Sequence, residues 1–149
     1  MSRSAINAGP GRVLVFLYGL FAVAAGARAG VQIGTSFRDA PLAYLLSAFA
    51  ALVYLVATIG FVLGSRAGRQ LAIGCLAVEL VGVLVVGTLS LVDREAFPDE
   101  TVWSVFGQGY GFVPLALPIL GLLWLRNTPA DATPSEASSG GEPDQPTAR

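Results

Sequence analysis

The sequence has 149 residues, of which 54% are hydrophobic and 13% are charged, with a formal net charge of −1. A soluble domain usually carries about 25% charged residues, so this composition disfavours a soluble fold and indicates a chain that uses the lipid bilayer as its main solvent. The near-neutral charge disfavours nucleic acid as a partner. Histidine is absent and Cys75 is the single cysteine, so we expect no metal site, no cofactor and no internal disulfide.

Four apolar segments follow one another along the chain. They predict membrane spans at about residues 13–32, 41–64, 71–91 and 102–125. At about 1.5 Å per residue each span is roughly 30 Å long, which is the thickness of the hydrocarbon core. Backbone groups in lipid must be hydrogen-bonded within the span, so each is expected to be a helix. The predicted fold class is therefore all-α, a four-helix transmembrane bundle over residues 13–126.

The arginines predict the orientation of the bundle. With four spans, five arginines fall on one side: Arg3, Arg12, Arg66, Arg69 and Arg126. The other side holds Arg38 with Asp39, and then the net acidic stretch "VDREAFPDET". The positive-inside rule therefore predicts that both termini are cytoplasmic.

The two ends of the chain lie outside the predicted bundle. Residues 1–12 are expected to form a cytoplasmic N-terminal segment. Residues 127–149 are rich in Pro, Ser, Gly, Thr and acidic side chains, so we predict a disordered cytoplasmic tail. One alternative stays open, because a basic start, an apolar stretch and the small residues of "GARAG" also fit a cleaved signal peptide that comprises residues 1–29.

Small residues recur at a spacing of four in two of the spans, where they would allow another helix to approach closely. They are Ala22, Gly26, Gly30 and Gly34 in the first span, and Gly60 and Gly64 in the second. Two interpretations are open: an interface with a partner or a second copy, or packing within one bundle.

The fourth span is interrupted by helix-breaking residues. The four expected to kink or partly unwind it are Gly109, Gly111, Pro114 and Pro118. Broken helices often line substrate sites in transporters, but an irregular helix end near the interface is the alternative. Trp103 and Trp124 stand at opposite ends of the span, which is typical of an aromatic belt.

Glu79 is the candidate polar site, because it lies about 15 Å deep, near the middle of the third span. An acidic group at the bilayer centre costs on the order of 3 kcal/mol on insertion scales, so it should face other helices. Tyr54 has a matching depth of about 16 Å, whereas Tyr18 lies at about 9 Å and Arg28 at about 24 Å. We predict a hydrogen bond between Glu79 and Tyr54, with Arg28 or Tyr18 as a second contact. The carboxyl is either a proton site or a polar latch that specifies helix pairing.

Four stretches carry a family resemblance: "ARAGVQIGTSF", "PLAYLLSAFAALVY", "VELVGVLVVGTLSLV" and "GYGFVPLALPILGLLWLR". With them the chain resembles the small four-span integral membrane proteins of high-GC Gram-positive bacteria over most of residues 12–126. The resemblance implies a multi-pass protein of the bacterial plasma membrane. It implies no catalytic residue.

No catalytic motif stands out in the sequence, and short loops leave little room for a soluble active site. We therefore expect a non-enzymatic accessory or assembly subunit, with the bilayer and a larger membrane protein or a second copy as its partners. The alternative is a small oligomeric transporter or proton-linked permease that uses Glu79. A membrane enzyme acting on lipid is the third class, with the weakest support.

Overall fold

A computed structural model describes residues 9–128, and within that range all the regular elements are helices, with no strand. The helices are α1 (Pro10–Ser36), α2 (Pro41–Leu63), α3 (Arg66–Val92) and α4 (Val113–Asn127), with a short 3₁₀ helix at Ser104–Tyr110 before α4. The predicted all-α class is confirmed for this part of the chain. The predicted tail beyond Thr128, and residues 1–8, lie outside the described residues.

The first three helices are longer than or close to the predicted spans, and they alternate in direction. Residues 37–40 join α1 to α2 and residues 64–65 join α2 to α3. Helix α3 begins at Arg66 rather than 71, because the Ser65 side chain accepts a hydrogen bond from the Gly68 N–H at 3.0 Å and so caps the helix. The start of α1, the α2–α3 turn and the end of α4 share one end of the molecule, called the terminal end below. The opposite end is called the loop end.

Glycines bring α2 and α3 into backbone contact at the terminal end. A Cβ atom added to Gly60 would lie 2.8 Å from the Gly68 carbonyl oxygen and 2.9 Å from the Ala72 nitrogen. Gly64, which ends α2, has a φ of 58°, a left-handed conformation that favours glycine. The predicted small-residue motif of the second span thus lies at a helix–helix contact and at a turn.

An arginine joins the end of α4 to the beginning of α3. The Arg69 guanidinium donates hydrogen bonds to the carbonyl oxygens of Thr128, at 2.6 Å, and Leu125. These carbonyls belong to the last turn of α4, which has no partners for them within the helix. A cation at a helix C-terminus is also favourable to the helix dipole.

The fourth predicted span, 102–125, is not one continuous helix, and it is interrupted in the half where the sequence predicts a kink or partial unwinding. Residues 101–112, called the return segment below, fold against α3, and α4 begins only at Val113. The 3₁₀ helix and α4 meet at 98°. Three residues without the freedom of glycine have left-handed backbones there: Val105, Phe106 and Phe112. Each costs about 1–2 kcal/mol, so tertiary contacts must hold the bend.

Within residues 9–128, three helices are long and apolar enough to cross a membrane, and a fourth crossing results if the 3₁₀ helix and α4 count as one bent span. Helix α4 has 15 residues, or about 22 Å, which is shorter than the roughly 30 Å hydrocarbon core. Irregular backbone at membrane depth is tolerated where protein buries it. The buried residues Thr101, Ser104 and Gly107 of the return segment meet this condition.

The close α2–α3 contact makes a prediction about stability. Gly60→Ala should lower the unfolding temperature in mild detergent, because its new methyl group meets backbone atoms and overpacking costs about 1–3 kcal/mol. Gly74→Ala is the matched control, since a Cβ atom there meets nothing within 4 Å. Equal unfolding temperatures for the two variants would contradict the contact.

Candidate functional site

Glu79 is fully buried, and its hydrogen-bond partner comes from the first helix. The Tyr18 hydroxyl on α1 donates to Glu79 Oε2 on α3 at 2.7 Å, and both side chains have 0% exposure. Hydrogen bonds to a carboxylate are stronger than those between neutral groups. This bond therefore joins two helices that are not consecutive in the chain, at a depth where water is excluded.

A second buried hydrogen bond joins α2 to the return segment. The Trp103 indole N–H donates to the Tyr54 hydroxyl at 3.0 Å, and both side chains are buried. The Tyr18 and Tyr54 rings lie beside each other, with centroids 6.0 Å apart. The two bonds form one polar core, defined by Tyr18, Tyr54, Glu79 and Trp103. Its four members come from α1, α2, α3 and the return segment.

Both predicted tyrosines lie at Glu79, in a different order from the one predicted. The Tyr18 hydroxyl donates to the carboxylate at 2.7 Å, whereas the Tyr54 hydroxyl lies near the carboxylate and accepts from the Trp103 indole. Depth along a helix does not say which face a residue occupies. Trp103 is predicted at the membrane interface, but it is buried inside the protein, where its indole N–H donates to the Tyr54 hydroxyl. Helix α1 also starts at Pro10, which places Tyr18 about 12 Å along the helix.

Arg28 does not reach Glu79, because its partners lie at the loop end. Its guanidinium donates to the Tyr110 hydroxyl at 3.0 Å and to the Glu100 carbonyl oxygen at 3.4 Å. One turn further along α1, the Gln32 amide donates to Asp99 Oδ2 at 3.1 Å. These contacts attach the segment that follows α3 to the side of α1.

Three buried side-chain atoms have no hydrogen-bond partner among the described residues. They are Gln32 Oε1 towards the loop end, the Ser47 hydroxyl, which lies two turns from Tyr54 on α2, and Glu79 Oε1. A buried carboxylate oxygen without a donor is costly in an apolar interior. Glu79 Oε1 is therefore the atom of the polar core that can still accept a hydrogen bond from a further donor group or take up a proton.

The small residues predicted for packing on α1 do not share one environment. Ala22 and Gly26 are half-buried, and a Cβ atom on Gly26 would lie 3.8 Å from Ala51 of α2. Gly30 and Gly34 are exposed, with nothing within 4 Å of an added Cβ atom. A spacing of four turns about 40° around a helix at each step, so the stripe rotates off the α2 contact.

The predicted helix-breaking residues have three different positions. Gly111 lies in the bend with a φ of 63°, and Gly109 is exposed in the 3₁₀ helix. Pro114 is in the first turn of α4, where proline starts a helix, so it marks a beginning rather than a kink. Pro118 is buried inside α4.

The sequence did not predict that the return segment packs on α3. A Cβ atom on Gly82 would lie 2.7 Å from the Trp103 ring, and one on Gly87 would lie 2.6 Å from the Phe106 ring. The Val105 N–H also donates to the Ser90 hydroxyl at 2.8 Å. The available signal was the pair Gly82 and Gly87 in the second half of α3, which is otherwise rich in Val and Leu.

Comparison with known proteins yields no relative. No family model matches the chain, and neither does any curated protein or any solved structure. Within residues 9–128 there is also no group of three metal-ligating side chains that could hold an ion.

The bond between Tyr18 and Glu79 can be tested with a double-mutant cycle. Tyr18→Phe and Glu79→Gln should each destabilise the protein, and their combination should cost less than the sum, with a coupling of about 1 kcal/mol. The readout is the free energy of unfolding in detergent. Tyr44→Phe, which alters a buried tyrosine at the loop end, should show no coupling with Glu79→Gln. Additive effects of Tyr18→Phe and Glu79→Gln would contradict the bond.

Proposed function

We propose that the chain is a four-span protein of the bacterial plasma membrane, with both termini cytoplasmic, and that it acts as a non-enzymatic accessory or assembly subunit of a larger membrane complex. The resemblance to small actinobacterial membrane proteins supports the location. The charge distribution supports the orientation, since Arg12, Arg66, Arg69 and Arg126 belong to the terminal end. In this proposal the return segment and α4 form a broken fourth span.

The hydrogen bonds between the buried polar groups support a structural role. Each of the four members of the polar core has a hydroxyl, indole or carboxyl group that bonds to another member of the core. Such bonds specify which helices pair, as expected of a latch. The core thereby stabilises a rigid body that can present its outer surface to a partner.

The outward face of α1 is the observation that carries the proposal. In the most apolar 18-residue stretch of α1, 22% of the residues are buried, against 39% in the corresponding stretches of α2 and α3. Val23 and Phe16 on this helix are 72% and 68% exposed. Gly30 and Gly34 add a flat strip with open space above it, which suits close approach of a helix from another protein.

Purification from native membranes tests the proposal. Tagged wild-type protein in mild detergent should retain a larger multi-span protein in stoichiometric amount. Gly30→Leu combined with Gly34→Leu should reduce that partner at least about tenfold, because the new side chains fill the strip. Gly74→Leu, the same change on an open face of α3, should retain it. A homo-oligomer alone, or a partner insensitive to the α1 variants, would contradict the proposed interface.

A proton-linked permease is the second candidate, and Glu79 Oε1 is the observation that favours it. This buried oxygen has no hydrogen-bond partner in the described part of the chain. Ionisable groups at membrane depth often mark proton pathways. In this alternative the carboxyl would gain and lose a proton while Tyr18 holds its other oxygen.

Proteoliposomes containing a pH-sensitive dye separate the two candidates. As an accessory subunit, the wild-type protein and Glu79→Gln should both show the proton flux of empty liposomes under a potassium-diffusion potential. Glutamine keeps the size and hydrogen-bonding capacity of the side chain but cannot exchange a proton in this way. A wild-type flux that Glu79→Gln abolishes would favour the permease and contradict the structural latch.

A further inference from the structure

An apolar groove runs along the outer side of α2 and α3. Its part towards the terminal end has a volume of about 390 Å³, and its part towards the loop end has a volume of about 490 Å³. Phe49 and Val78 line both parts, so the two are continuous. We call this surface the α2–α3 groove.

Small residues of α3 line the groove. Gly74 and Cys75 line its terminal part, and Gly82 lines its loop part, where the Trp103 ring lies above it. A Cβ atom on Gly74 would meet nothing within 4 Å, so the protein leaves this space open. An apolar space open to the hydrocarbon is filled by an apolar group, because its walls otherwise lose dispersion contacts.

The terminal end of the groove is polar, and an arginine lies just beyond it on α3. Gln70 lines the groove there, and Arg66 lies one helical turn before it on α3. Arg66 is exposed, whereas Arg69 is engaged with the last turn of α4. A guanidinium group binds phosphate oxygens in a two-pronged geometry. An apolar channel that ends at a cation is complementary to an anionic amphiphile.

The groove is long enough to contain a lipid tail. From Gln70 to Val86, which lines its far part, α3 rises about 24 Å. One leaflet of the hydrocarbon core is about 15 Å thick, which is half of the roughly 30 Å total. An acyl chain of one leaflet therefore fits within the groove while its phosphate stays at the terminal end.

We propose that the α2–α3 groove binds one anionic phospholipid, with its phosphate at Arg66 and Gln70 and one acyl chain along Gly74 and Val78. This site is separate from the partner face on α1 and goes beyond the proposed accessory role. Its occupancy is measured on the purified chain alone, so loss of lipid binding and loss of partner binding are distinguishable.

Native mass spectrometry of the delipidated full chain tests the site. With phosphatidylglycerol and phosphatidylcholine of the same acyl composition offered in equal amounts, one phosphatidylglycerol should be retained about fivefold more often. Arg66→Gln should remove this preference. Arg126→Gln, which alters another exposed arginine at the same end, should preserve it.

A second pair of variants tests the apolar part. Gly74→Leu should fill the groove and reduce retention of both lipids, whereas Gly30→Leu on α1 should leave retention unchanged. Neither position has an atom within 4 Å of a new Cβ atom, and circular dichroism checks that both variants remain helical. Equal retention of the two lipids, or retention unaffected by Gly74→Leu, would overturn the proposal. A dimer that Gly74→Leu disrupts would also overturn it, since a second copy would then occupy the groove.

Discussion

The burial of one carboxyl group, that of Glu79, is the constraint on which the arrangement of the helices depends. An apolar interior supplies no donors, so an acidic side chain there must find them on neighbouring helices. Tyr18 supplies one such donor from across the structure. Because Tyr18 and Tyr54 pack beside each other, the position of Glu79 also limits how α1 and α2 can rotate about their axes.

The return segment is the second consequence of this polar interior. Its three left-handed residues, Val105, Phe106 and Phe112, make the bend unfavourable on backbone grounds. The offsetting contacts are specific, because the rings of Trp103 and Phe106 occupy the spaces above two glycines of α3. A straight fourth span would expose the Tyr54 hydroxyl without its indole donor, so the bend and the polar core stabilise each other.

Much of the fold follows from hydropathy, whereas the site depends on tertiary geometry. Uncharged apolar runs placed α2 at 41–64, one residue from its observed end, because lipid leaves the backbone no alternative to a helix. The burial of Glu79 followed from the same cost. The hydrogen-bond partner of Glu79 could not be predicted in this way, because residues at equal depth can face opposite ways. Tyr54 accepts from Trp103 only because the return segment folds back into the protein. The interruption near Gly111 was predictable from its composition, but its 98° angle arises from contacts with α3.

The most direct test is to measure how accessible Trp103 is to water. Trp124→Phe leaves Trp103 as the sole tryptophan of the chain. The variant is reconstituted in lipid nanodiscs, and its fluorescence is quenched with acrylamide from the water. The account predicts blue-shifted emission and strong protection, and a marked rise in quenching when Glu79→Ala is added. Ready quenching of Trp103 beside an intact Glu79 would place the indole at the membrane surface and contradict a polar core that joins all four elements.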